Sequence, residues 1–326
     1  MGNSLLTKHK TITLRIILAL ALLAGSLARP ALAQTQFVTN HDSNQVPQST
    51  PKSGNVLVND DNPNNLAIGT FSISLVSGPL HGSIAGNTIN ANGSYTYTPT
   101  GGYVGADSFT YQICYPAGSS NCSNVSTVAL NVYDPTLACT QGTGPNLLQN
   151  PSFNSGNVGF TSGYTFVPTP SSTPSLYAEG TYAIGNNART YHPDFNGTGH
   201  TADNFMIVNG AAALQSVYLQ AVTVFPNRFY TISVWATSVH PSSPAQLGLV
   251  VAGKSTSVVT TLPSAVNQYV QLSDLYFSGP GPASGWQVSF EIRDINKSLG
   301  GNDFGIDDVY FGSCSTDLLA DTKTNP

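Results

Sequence analysis

Two adjacent acids in the stretch GNDFGIDDVYF (301–311) are the first residues that suggest chemistry. Phe304, Ile306, Val309, Tyr310 and Phe311 mark a buried strand. Successive side chains on a strand point to opposite faces, so Asp307 is expected to turn inward with Val309 and Phe311, and Asp308 to point into solvent. A buried carboxylate requires donors, a cation or a metal. A second cluster lies in YHPDFNGTGHTADNF (191–205), where His192, Asp194, His200 and Asp203 supply imidazole and carboxylate groups before the strand pattern MIVNGA. Such groups can bind a polar ligand or a metal. The alternative is a loop whose polar groups are simply hydrated.

No nucleophile, metal-protease or phosphate-loop signature accompanies these groups. Glu occurs only at Glu179 and Glu291, and no carboxylate pair can be assigned across a cleft for glycoside hydrolysis. The expectation is therefore a protein that is not an enzyme. Aromatic faces that could stack on the apolar face of a sugar ring are Tyr164, Tyr177, Tyr182, Tyr191 and Trp286. Trp235 lies within the apolar strand pattern FYTISVWA and reads as core.

The elements that must carry these residues are strands. Charged residues make up only 8% of the chain, against about 25% in an average domain. Val, Thr and Tyr recur in short alternating runs, which favours sheet over helix. Lys8, Lys10 and Arg15 precede an apolar run, and Ala31-Leu32-Ala33 follows, so residues 1–33 read as a secretory signal peptide. Four of the 11 Lys+Arg and none of the 16 Asp+Glu fall within that segment, which leaves seven bases, 16 acids and a formal charge of −9. This balance argues against nucleic acid and against an anionic membrane surface. No later stretch is long and apolar enough to span a bilayer. The four cysteines, Cys114, Cys122, Cys139 and Cys314, are even in number and suit an oxidising compartment. They permit three connectivities; without a C-x-x-C pair, a zinc site is disfavoured.

Residues 34–134 read as one sandwich behind a loose lead-in that contains Pro47 and Pro51. Phe71, Ile73 and Leu75 alternate with serines, Tyr95 and Tyr97 with Ser and Thr, and Val128, Leu130 and Val132 with polar residues. Cys114 and Cys122 bracket a turn segment between two such strands, and a bond between them would staple that hairpin. The order GNVLVNDDNPNN, SLVSGPLHGSI, NGSYTYTPTGGYVGADSFTYQIC and VSTVALNV (within 37–134) resembles the bacterial Ig-like/cadherin-like repeat. That resemblance implies a secreted or surface-attached bacterial protein in which this module is a spacer or adhesion element. The loop with Asn59, Asp60, Asp61, Asn62 and Asn64 is similar to a calcium loop, but its Asn content lowers the charge, and no calcium is expected there.

Residues 135–145 read as a linker, 146–316 as a second sandwich and 317–326 as a polar tail. The opening NLLQNPSFNSGNVGF, the middle strand FYTISVWA and the closing DFGIDDVYF (146–313) resemble the galactose-binding-like jelly roll, a superfamily that includes many carbohydrate-binding modules. The resemblance implies two further features. A Cys139–Cys314 bond would tie the domain ends together, and a structural calcium would join the first and last strands through Asn154 and Asp307. The whole chain is thus expected to be an all-β, two-sandwich, non-catalytic binding protein, secreted or at the cell surface or in the periplasm. Its expected partner is an extracellular glycan or cell-surface component, contacted by the tyrosines above with His192, Asp194, His200 and Trp286. The competing expectation is a structural or adhesive surface or matrix protein with no small-molecule site.

Overall fold

The structure is a computed structural model and describes residues 37–62, 66–136, 144–168, 175–298 and 300–314. The signal segment, residues 137–143 of the linker with Cys139, and the polar tail lie outside the described residues.

Strand periodicity produces the expected all-β architecture. The first sandwich comprises β1 (Asp42–Pro47), β2 (Lys52–Asn55), β3 (Ser72–Ser77), β4 (Gly82–Ile84), β5 (Ser94–Pro99), β6 (Gly105–Cys114) and β7 (Ser126–Tyr133). Its two sheets run in the order β1-β7-β6-β3 and β2-β5-β4. The alternating apolar side chains meet between them: Tyr97, Phe109, Tyr111 and Val128 are fully buried. Cys114 and Cys122 form the expected disulfide.

The second sandwich contains β8 (Thr165–Phe166), β9 (Thr181–Gly185), β10 (Phe205–Asn209), β11 (Ser216–Val224), β12 (Phe229–Ser238), β13 (Gln246–Val251), β14 (Lys254–Thr261), β15 (Val270–Phe277), β16 (Trp286–Asp294) and β17 (Phe304–Ser313). One sheet has the order β15-β12-β17-β10-β9-β8, and the other β11-β16-β13-β14. The chain's opening segment ties directly to its last strand. Val309 N–H donates to the Pro151 carbonyl at 3.0 Å, and the Asn146 side chain brackets Val309 and Phe311. Cys314 is disulfide-bonded; its expected partner, Cys139, lies outside the described residues.

The two sandwiches pack as one compact unit. Lys52 on β2 pairs with the buried Asp274 on β15 at 2.8 Å. Asn59 donates to the Gly253 carbonyl at 3.1 Å. The fully buried Val58 packs onto Gly248, where a larger side chain would collide with it. The Ser255 hydroxyl donates to Asp42. This seam is more intimate than the word spacer implies.

Candidate functional site

The two groups singled out in the sequence converge on one place, the outer face of the six-stranded sheet. A bulge in β17 brings this about. Ser233 faces Tyr310 and Trp235 faces Asp307, so Asp308 and Val309 together oppose the single residue Val234. Asp308 takes the left-handed conformation, φ 46°, which Asp tolerates better than most residues. One inserted residue reverses the alternation. Phe304 and Ile306 before the bulge, and Val309 and Phe311 after it, therefore all enter the same core. Asp307 does not share their face, contrary to the strict two-residue expectation. It points outward, yet remains 0% exposed because residues 186–204 cover it.

That covering segment is held down by apolar anchors. Ala188, Tyr191 and Phe195 are buried with Phe205, Ile207 and Val239 in a small second core on the outer face. Asn196 N–H donates to the Val239 carbonyl at 2.8 Å, and the Tyr269 hydroxyl donates to the Thr198 carbonyl at 2.7 Å. The segment thus brings His200 over the acid pair. His200 N–H donates to Asp307 Oδ2 at 2.8 Å, and Asp308 N–H to Asp307 Oδ1 at 2.8 Å. The His200 ring contacts Asp308 Oδ2 through Nδ1 at 2.8 Å. It stacks on Trp235 with centroids 4.3 Å apart, and Tyr269 tilts against it at 5.0 Å. Asp308 is only partly solvated, because Ser152 also donates to it at 2.7 Å.

The electrostatics follow from burial. Asp307 is pushed up to about 7 by burial, opposed by the two backbone N–H groups and reinforced by the charges of Asp308 and Asp203. Burial also acts to raise Asp203, but hydrogen bonds from Asn154 and Thr201 and the nearby His200 outweigh it and leave Asp203 below its ordinary value.

Asn154 and Asp307, the expected calcium ligands, are both hydrogen-bonded within the protein. The Asn154 side chain donates to Asp203 at 2.5 Å and accepts from Asn204 N–H at 3.2 Å. Both Asp307 oxygens accept backbone N–H groups. Direct hydrogen bonds also join the opening segment to β17.

The remaining expected contacts separate. Tyr164, Tyr182 and Tyr191 are buried and cannot serve as stacking platforms. Tyr182 and Tyr191 face inward with their hydroxyls on Asn157 and the Ile184 carbonyl. Trp286 is half-buried against the main core. Tyr177 is 58% exposed and meets His192 edge-on at 4.7 Å. His192 rests on Phe195 and is lowered by its burial. Asp194 is exposed, and its N–H reaches His192 Nδ1 at 3.2 Å. Trp235, read as core, instead lies half-buried on the outer face. Its parity with Ser233 and Thr237, opposite to Ile232, Val234 and Ala236, was a usable signal. Tyr269 carried no signal, because it stands just ahead of β15 and reaches the site only through the sheet order. A separate cleft of about 670 Å³ opens between the sandwiches and is lined by amides such as Asn55, Asn92, Gln246 and Asn296.

Residues 32–129 match the family model of the bacterial Ig domain. No curated protein matches the chain. Several solved structures are similar over part of it. A C-terminal domain of EclA, described as a sugar-binding protein, is 19% identical, with 29% of this chain and 66% of that chain covered and a TM-score of 0.26. The module TmCBM61, solved with β-1,4-galactotriose, is 16% identical over 52% of this chain and 99% of that chain, with a TM-score of 0.34. A Stig cyclase from Fischerella sp. TAU is 10% identical over 52% and 98% of the two chains, with a TM-score of 0.37. The chain spans just under two thirds of the first of these. These are partial similarities, and no ligand or reaction is carried over from them.

Proposed function

We propose that this is an extracellular, non-catalytic glycan-binding protein whose binding surface is the outer-face patch around His200. The observation that carries this reading is the combination of rings and acids in one place. Trp235, Tyr269 and His200 present stacked and tilted rings, while Asp203 and Asp308 are only partly buried beside them. Aromatic faces stack on the C–H face of a pyranose, and carboxylates accept strong hydrogen bonds from its hydroxyls. The surplus of acceptors suits neutral or cationic sugars and disfavours acidic ones.

The same residues do not form a hydrolase triad. Asp308 sits between Ser152 and His200, so the hydroxyl donates to the carboxylate and not to the imidazole. A serine nucleophile needs the imidazole as its immediate base. The tight seam between the sandwiches supports the second reading, a rigid structural or adhesive element of a cell surface.

A glycan array with the full mature chain separates the two. Binding of a defined neutral glycan, weakened at least about tenfold (about 1.4 kcal/mol) by both Trp235→Ala and Tyr269→Ala, supports the patch. A blank array, or binding indifferent to both substitutions, refutes it.

A further inference from the structure

The cleft between the sandwiches has a chemistry that the glycan reading does not use. Its volume is about 670 Å³. Small-molecule sites usually measure about 300–1,000 Å³ and favour domain interfaces. Leu57, Leu66 and Ile68 line it from the first sandwich, and Leu214, Val259 and Ile295 from the second. None of these six side chains is fully buried, so the cleft keeps aliphatic surface in contact with water, and an apolar ligand would remove that contact. Phe37 and Phe71 also line it, but they are 5% and 4% exposed and pack on each other at 5.0 Å. Neither offers a ring face on which a sugar could stack.

The amides along the cleft are largely spent on the fold. Asn55 donates to the Asn92 carbonyl at 2.9 Å and accepts the Leu57 N–H at 2.8 Å. Both ends of the Asn62 amide are engaged with Leu66, at 3.0 Å. Asn296 donates to the Ser243 and Pro244 carbonyls and accepts the Ser298 N–H. A polyhydroxylated ligand would therefore find few free partners here. Lys297 is the exception. It lines the same cleft and is half-buried, and its ammonium makes no hydrogen bond or ion pair among the described residues. Burial holds it below its ordinary value, against the charge of the exposed Asp61. A half-buried ammonium has three protons to donate and calls for an acceptor. Asp60 also lines the cleft. Beside the equally buried Asp42, it is pushed up to about 8 by burial, so at pH 7 it is mostly protonated and does not repel an anion.

We propose that this cleft binds a long-chain carboxylate, with its hydrocarbon chain along the aliphatic walls and its head on Lys297. The walls supply the affinity through apolar burial. Lys297 supplies the selectivity, because a carboxylate accepts a charge-assisted hydrogen bond that an alcohol cannot match. Each sandwich contributes one wall, so the site exists only where the two domains meet. It is separate from the outer-face patch around His200.

The test uses the full mature chain at pH 7 with cis-parinaric acid, a fluorescent fatty acid, as the probe. Its emission should rise and saturate, and palmitate should displace it while hexadecanol competes at least about tenfold more weakly. Lys297→Met should weaken parinarate binding by about tenfold or more, and Lys297→Arg, which keeps the charge, should retain it. Thr261→Trp should block it, since Thr261 is an exposed residue of β14 on the cleft wall. Trp235→Ala should leave it unchanged, which separates this site from the glycan patch. The comparison of palmitate with hexadecanol needs only the wild-type chain, so it decides the matter even if a variant fails to fold. No saturable emission would overturn the proposal. Equal competition by the acid and the alcohol, or affinity indifferent to both Lys297→Met and Thr261→Trp, would overturn it equally, as would loss of binding in Trp235→Ala.

Discussion

Asp303→Asn is expected to stabilise this protein at pH 8 and to leave it unchanged near pH 3.5. Asp303 stands just ahead of β17, is 6% exposed, and accepts the Gly210 N–H through Oδ1 at 3.1 Å. Burial raises it from 3.8 to about 7 against that hydrogen bond, with a smaller push from Glu179. The unfolded chain ionises the same carboxyl near its ordinary value of about 3.9. Between roughly pH 4 and 7 the folded protein therefore keeps a proton that the unfolded chain has lost, and stability falls as pH rises through that window. Above about pH 7 both states are ionised and the loss is complete. A separation of about three pH units, at about 1.36 kcal/mol each, sets a ceiling near 4 kcal/mol. Allowing for residual solvent screening, about 2 kcal/mol is the expected effect. Asparagine keeps an oxygen for Gly210 and cannot ionise. Urea unfolding of the two proteins in EDTA at pH 3.5, 5, 6.5 and 8 measures the difference, because the other buried acids contribute to both alike. The advantage of the variant should grow from near zero to about 2 kcal/mol along that series. An advantage independent of pH, or one that shrinks as pH rises, refutes the assignment.

Three further outcomes are expected. Lys52→Met should destabilise the full chain by about 2 kcal/mol in urea melts, since it leaves the buried Asp274 with only the Ser257 and Leu275 groups as donors; an effect below about 0.5 kcal/mol would mean the seam ion pair behaves as a surface one. Non-reducing peptide mapping of the mature chain should recover Cys114–Cys122 and Cys139–Cys314 peptides, and a Cys122–Cys139 peptide would contradict both. Tyr182→Phe and Tyr191→Phe should leave any glycan affinity unchanged, because their rings are buried; a tenfold loss measured by calorimetry would place them at the ligand.

Much of the fold was legible in one dimension. Alternation in FTYQIC, VALNV and WQVSFEIR marks β6, β7 and β16, because a half-buried strand has a period of two whatever its partners. The Cys114–Cys122 staple was readable too, since it depends on one hairpin. Parity could also have placed Trp235 on the outer face. The fate of Asp307 was not legible: it turns on the bulge at Asp308, and a bulge arises from mismatch with the neighbouring strand, β12, about seventy residues earlier in the chain. Burial was hidden for a related reason. Tyr164 and Tyr191 lie in polar sequence yet are enclosed, whereas Tyr177 is open, because burial depends on what packs above a residue as well as on its own segment. The meeting of Asp42 with Asp60, and of His200 with Asp308, belongs to the tertiary structure alone. Carboxylates 18 or 108 positions from their partners carry no local signature, and only the packing of strands removes the water that would otherwise screen them.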